Sequence, residues 1–156
     1  MDREFGGLYF THICVIEPDR DVNGAIREFM PQDRYANLRN LPLNAHGDGP
    51  FCKFKISKSY NQSGIYVLTL NGDPKYVGKC DNLAQRWGLQ GYGTISPKNC
   101  FMGGQSTNCK INNMVLRQSK RGGRMELLFH ATMDPGPVER TIILILKPEW
   151  NLQIPW

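Results

Sequence analysis

A chain of 156 residues that is 40% hydrophobic can bury a core of its own and leaves no room for a second catalytic domain. Its formal charge of +5 makes a polyanionic partner admissible without requiring one, and its longest apolar run, residues 142–146, is far too short to cross a bilayer. Five cysteines, an odd set without a Cys-x-x-Cys pair, argue for reduced and mostly buried thiols over a disulfide framework or zinc site; with no secretory pattern at the start, a soluble cytoplasmic protein with no membrane partner is expected.

Residues 8–16 (LYFTHICVI) read as a buried strand, and residues 22–29, with Ile26 and Phe29 on one face, as a short helix stopped by Pro31. Gly47, Gly49 and Pro50 mark a turn before residues 51–56, an imperfect alternation expected to form an edge strand or extended arm. There Lys53 and Lys55 interleave with Phe51 and Phe54. This pattern suits either contact with a duplex or an ordinary strand whose lysines discourage edge pairing.

The most informative stretch is residues 63–86. A β-branched and aromatic run, IYVLTL, meets the turn cluster NGDP and a second run, KYVG, which together spell a hairpin carrying Tyr66 and Tyr76. Asp81 is a suitable N-cap for a helix over residues 82–89, with Leu83 and Trp87 as a stripe facing the sheet and Arg86 at its edge. A long loop rich in Gly, Ser and Asn follows, containing Gly91-Tyr92-Gly93 and Gly103-Gly104. It leads into a helix expected to start near Cys109, capped by Thr107 or Asn108, striped by Ile111, Met114 and Val115, and ended by Gly122-Gly123.

Lys110, Arg117, Lys120, Arg121 and Arg124 crowd that helix and its exit. A phosphate backbone is the natural partner for such a face, with a solvated helix surface as the bland alternative. Residues 125–131 (MELLFHA) read as the third strand of a central sheet. Asp134 and Pro135 then open a last helix that reaches Lys147, with Glu139 one turn in. The run IILIL also fits a strand, but the Asp-Pro start and the length favour the helix.

Gly64-Ile65-Tyr66, Tyr76-Val77-Gly78, Arg86, and Glu139 followed by an apolar helix ending in Pro148-Glu149-Trp150-Asn151 together resemble the GIY-YIG nuclease family. The second tripeptide has Val where Ile is usual. The resemblance covers roughly the last two thirds of the chain and rests on the ordered set of Tyr, Tyr, Arg, Glu and Asn. It implies an α/β (α+β) fold, a small three-stranded central sheet flanked by helices. Residues 61–156 would form the nuclease domain and residues 1–60 an N-terminal extension of a strand and a helix packed on it.

The resemblance further implies a Mg2+-dependent endonuclease acting on double-stranded DNA, with Mn2+ able to substitute. Glu139 would be the metal ligand, a role that one hard carboxylate can fill for Mg2+ when water and phosphate complete the shell. Arg86 would hold the scissile phosphate, its planar fork matching the developing charge. Tyr66 would activate or orient the attacking water, and Tyr76 would bond near the same phosphate. Gly64, Gly78 and Asn151 are supporting positions. An unperturbed phenol is a poor base at neutral pH, and Gln90 stands where family members often have a histidine, so the base stays open among Tyr66, Lys79 and Tyr92. The DNA-contacting set is Lys110, Arg117, Lys120 and Arg121, with Lys53 and Lys55 on the arm. The architecture resembles restriction-type or defence nucleases, for which a homodimer is expected. The alternative is a nuclease-like module that binds nucleic acid without cutting it.

Overall fold

β1 (Arg3–Phe5), β2 (Leu8–Val15), β3 (Gly64–Leu70), β4 (Asp73–Cys80) and β5 (Met125–Ala131) form a single antiparallel sheet ordered β1-β2-β5-β3-β4 in the computed structural model, which describes residues 1–88 and 91–151. The sheet has five strands where three were expected. Residues 8–15 pair directly with β5, from Thr11 opposite Phe129 to Val15 opposite Glu126. The left-handed pair Gly6 (φ 58°) and Gly7 (φ 80°) then folds β1 back onto β2. The β3–β4 hairpin turns on Asn71 (φ 51°) and Gly72 (φ 89°), the two left-handed residues that match a tight turn to strand twist.

The chain divides into two compact units: Met1–Ile16, Ser57–Ala84 and the part from Gly123 onward make the first, and Glu17–Ile56 with Gln85–Gly122 make the second. The first unit holds the whole sheet and α3 (Pro135–Leu146). Ile142 and Ile143 of α3 join Ile65, Val67, Val77 and Leu128 on one sheet face, with Phe5 and Phe10 from the N-terminal strands completing the core. Alternation along β3 sends Tyr66 and Leu68 to the other face, and both are buried. Asp134 and Pro135 start α3 as expected, although the Asp134 carboxylate makes no capping bond.

The second unit contains α2 (Ser106–Lys120), two short 3-10 turns (Pro31–Arg34 and Pro97–Cys100), and a core of Phe51, Ile95, Cys100, Phe101 and Cys109. The helix expected over residues 22–29 does not form. The Asp21 carboxylate accepts the N–H groups of Asn23 (2.8 Å) and Ala25 (3.1 Å), and Gly24 is left-handed at φ 84°, so a polar turn takes the place of the first helical turn. Residues 51–56 make no continuous strand either: only Phe51 pairs, with Phe29. Other backbone groups of this stretch bond elsewhere. Cys52 bonds the Asn112 side chain through both its N–H (2.9 Å) and its C=O (2.9 Å), and the Phe54 N–H donates to Gly93 O at 3.0 Å. α2 begins at Ser106, earlier than expected, with Gln105 and neither Thr107 nor Asn108 in the cap position. Asn99 sets this entry by accepting the Gln105 N–H through its side-chain oxygen at 3.1 Å.

α1 (Leu83–Arg86) lies where the chain passes from the first unit to the second; it is shorter than the expected helix, whose last residue, Leu89, lies with Gln90 outside the described residues. No helix among the described residues is long and apolar enough to cross a membrane.

Glu126 on β5 carries a pH-dependent share of stability. Burial pushes its carboxyl up, but hydrogen bonds from Arg124 (3.2 Å) and His12 (2.7 Å) outweigh burial and hold it below the ordinary 4.5. A lowered carboxyl stabilises the fold fully above its unfolded pKa, and that contribution is lost as pH falls through the folded value. Glu126→Gln should therefore melt below the wild type at pH 7, and the gap should close on acidification to about pH 3, as read by circular dichroism.

Candidate active site

The two tyrosines are placed by strand register. Tyr66 pairs with Gly78 and Leu68 with Tyr76, so residues 66, 68, 76 and 78 share one face of the hairpin. The rings of Tyr66 and Tyr76 lie 6.2 Å apart at 38°. The Tyr66 phenol crosses the edge strand directly over Gly78: a Cβ built at position 78 would overlap both the ring and the hydroxyl of Tyr66. Gly78 is thus the bed of the tyrosine, and its missing side chain lets the phenol reach the border of the sheet. Gly64 is needed for a different reason, since a Cβ there would run into the His130 carbonyl and the Phe129 ring on β5.

Tyr66 is fully buried and Tyr76 partly so. Glu139 lies in the second turn of α3, half-buried, three residues ahead of the core residue Ile142. Lys79, exposed, pairs with Ile65, the neighbour of Tyr66 on β3, and so belongs to the sheet face on which α3 packs. Its ammonium lies 3.9 Å from where a Cβ of Gly136, the second residue of α3, would stand. A cation near a helix N-terminus opposes the helix dipole by a few tenths to about 1 kcal/mol, so that spot favours an added anion.

Asn151 is the edge piece. Its amide accepts the Val77 N–H (3.0 Å) and donates to the Val77 C=O (2.8 Å), which closes the open side of β4 in the way a strand would. The Trp150 N–H to Lys75 O bond (2.9 Å) and the Lys75–Glu149 ion pair (2.8 Å) extend the seal along the same strand.

Arg86 and Tyr92 belong to the second unit. Arg86 is exposed, and its guanidinium lies 5.8 Å from the centre of the Tyr92 ring. Tyr92 is fully buried, edge-on to Trp87 at 4.8 Å and 76°, and its N–H donates to Arg86 O at 2.8 Å. Asn112, fully buried in α2, donates to Tyr92 O (2.8 Å) while bonding both backbone groups of Cys52. Nothing in the residue pattern signals this role, because an asparagine in a helix reads as a polar surface position.

The cations of the basic stretch and of the arm differ in their surroundings. Lys120 pairs with Glu28 (3.0 Å), Lys53 sits 4.3 Å over the Phe29 ring, and Arg124 of the first unit pairs with Glu126. Lys55 and Arg121 are exposed. Lys110 and Arg117 line a common cavity of the second unit with His46 and Asn113.

The fold is shared with a solved phage protein. Bacteriophage T4 EndoII, in the structure of a glutamate-to-alanine mutant, matches with a TM-score of 0.53 over 92% of this chain and 92% of its own, at 18% sequence identity. No family model matches the sequence, and no curated protein matches it either. At that identity the likeness concerns the fold alone, a mixed α/β fold.

Gly78→Ala tests the bed beneath Tyr66. The added methyl must displace either the phenol or the edge strand, an overpacking that costs about 1–3 kcal/mol. A lower melting temperature and a changed near-ultraviolet circular dichroism signal from tyrosine are expected.

Proposed function

We propose that this chain is a metal-dependent nuclease of the GIY-YIG type that hydrolyses phosphodiester bonds in double-stranded DNA. The observation that carries the reading is the Tyr66 phenol laid across Gly78 beside Tyr76, within a fold shared with a phage protein whose name marks it as an endonuclease. Both tripeptides owe their glycines to steric need in this sheet, so the motif is explained by position as well as by spelling.

In this reading the attacking water loses its proton to a general base, for which Tyr66, Lys79 and Tyr92 remain the candidates. Arg86 binds the non-bridging oxygens of the phosphate and stabilises the charge that builds on them. Where it is not the base, Lys79 of β4, whose ammonium lies near the start of α3, is a phosphate contact. Arg86 and Tyr92 enter through their place in the motif order along the chain. Glu139 is a half-buried hard oxygen donor, which suits Mg2+ or Mn2+ because such ions accept one or two carboxylates and leave other positions to water and substrate. Bound there, the ion would supply Lewis-acid stabilisation of the phosphate. A restriction or defence role belongs to the same proposal, as does the homodimer that a palindromic site requires.

Incubation of supercoiled plasmid with the protein and Mg2+ should give nicked or linear products, and EDTA should prevent them. Glu139→Gln should lose cleavage by at least about a hundredfold while still shifting DNA in a gel. Cleavage by that variant at the wild-type rate rejects the assignment. Plasmid bound but uncut by the wild type would mark a binding module instead.

A further inference from the structure

α2 and the segment before the turn at Gly49 enclose a groove of about 300 Å³, lined by Ala45, His46, Asp48, Lys110, Asn113, Met114 and Arg117. The whole groove lies inside the second unit. Lys110, Asn113 and Arg117 follow one another at three and four residues, which puts them on one face of α2, and Asn113 is anchored by donating to Pro50 O at 2.7 Å. With His46 neutral, Lys110 and Arg117 against Asp48 leave this groove with one net positive charge.

Two further features favour an anion. Burial presses the Lys110 ammonium below its usual range. Burial also lowers His46, with Lys110 adding to it and Asp48 opposing it. Both groups regain favourable interaction when a negative charge enters. The two cations stand two turns apart, about 10 Å along the helix, a span that an extended polyanion bridges more readily than a single small ion.

We infer that the groove formed by His46, Lys110, Asn113 and Arg117 is a backbone-phosphate anchor for duplex DNA. Lys110 and Arg117 supply charge, and the neutral His46 imidazole and the Asn113 amide supply hydrogen-bond donors. Asp48 opposes binding and sets its strength. The anchor rests on the reading of this chain as a DNA-acting protein and adds to it a binding role for residues that take no part in the chemistry.

The test is fluorescence anisotropy with a labelled 30-base-pair duplex in EDTA across a range of salt, with folding of each variant confirmed by thermal melting. Lys110→Gln with Arg117→Gln should weaken binding roughly tenfold at low salt and reduce the log–log salt slope by about two. Asp48→Asn should act in the opposite direction and tighten binding severalfold, a sign that loss of structure does not produce. Inorganic phosphate at millimolar concentration should compete poorly. Unchanged affinity and slope in the folded double variant overturn the anchor, as does full competition by free phosphate or a slope change seen with single-stranded RNA and not with duplex DNA. A wild type that binds duplex without cutting it, with the double variant weakened, refutes the nuclease reading and leaves the anchor standing.

Discussion

The pairing of Tyr66 with Gly78 across the β3–β4 hairpin is the constraint on which the candidate site depends. Register in a sheet is all or nothing: a slip of one residue would turn Tyr66 to the opposite face and put a side chain in its way. The β3–β4 ladder starts at the Asn71-Gly72 turn, shifts by one residue between Leu68 and Thr69, and then holds Tyr66 opposite Gly78, while Gly64 lies close against β5 at the far end of β3. Between those points the apolar residues of β3 fill both faces. Ile65 and Val67 join α3 in the core, and Tyr66 and Leu68 are buried opposite. The phenol is therefore held by the same contacts that hold the sheet together.

An edge strand that presents a site also presents unpaired backbone to solvent. Asn151 resolves the conflict with one side chain that bonds both polar groups of Val77, leaving Gly78 and Lys79 beyond the covered segment. The Lys75–Glu149 pair, which raises the Lys75 ammonium above its ordinary range, fastens the covering segment further along the strand. The last turn of the motif thus completes a sheet that the first two tripeptides begin.

Much of this was legible in the sequence wherever one local signal dominated. The hairpin, the third strand over residues 125–131 and the Asp-Pro start of α3 followed from turn chemistry and β-branched runs, and the observed bounds agree closely. The signal failed where long-range bonding decided. Residues 22–29 carried an apolar spacing suited to a helix, but the Asp21 carboxylate captured the backbone first. Residues 51–56 looked like a strand, yet within them Cys52 bonds an amide 60 residues away. The basic helix was visible as a charge run; that only Lys110 and Arg117 share a groove with His46 was not, because nothing in the spacing joins residue 46 to α2.

Asn112 ties three backbone groups from two separate loops to a single turn of α2, with Lys110 and Asn113 beside it on the same helix. The loops at Cys52 and Tyr92 are thereby fastened to the same turn of the helix. The second of these loops carries the Tyr92 ring, whose centre lies 5.8 Å from the Arg86 guanidinium.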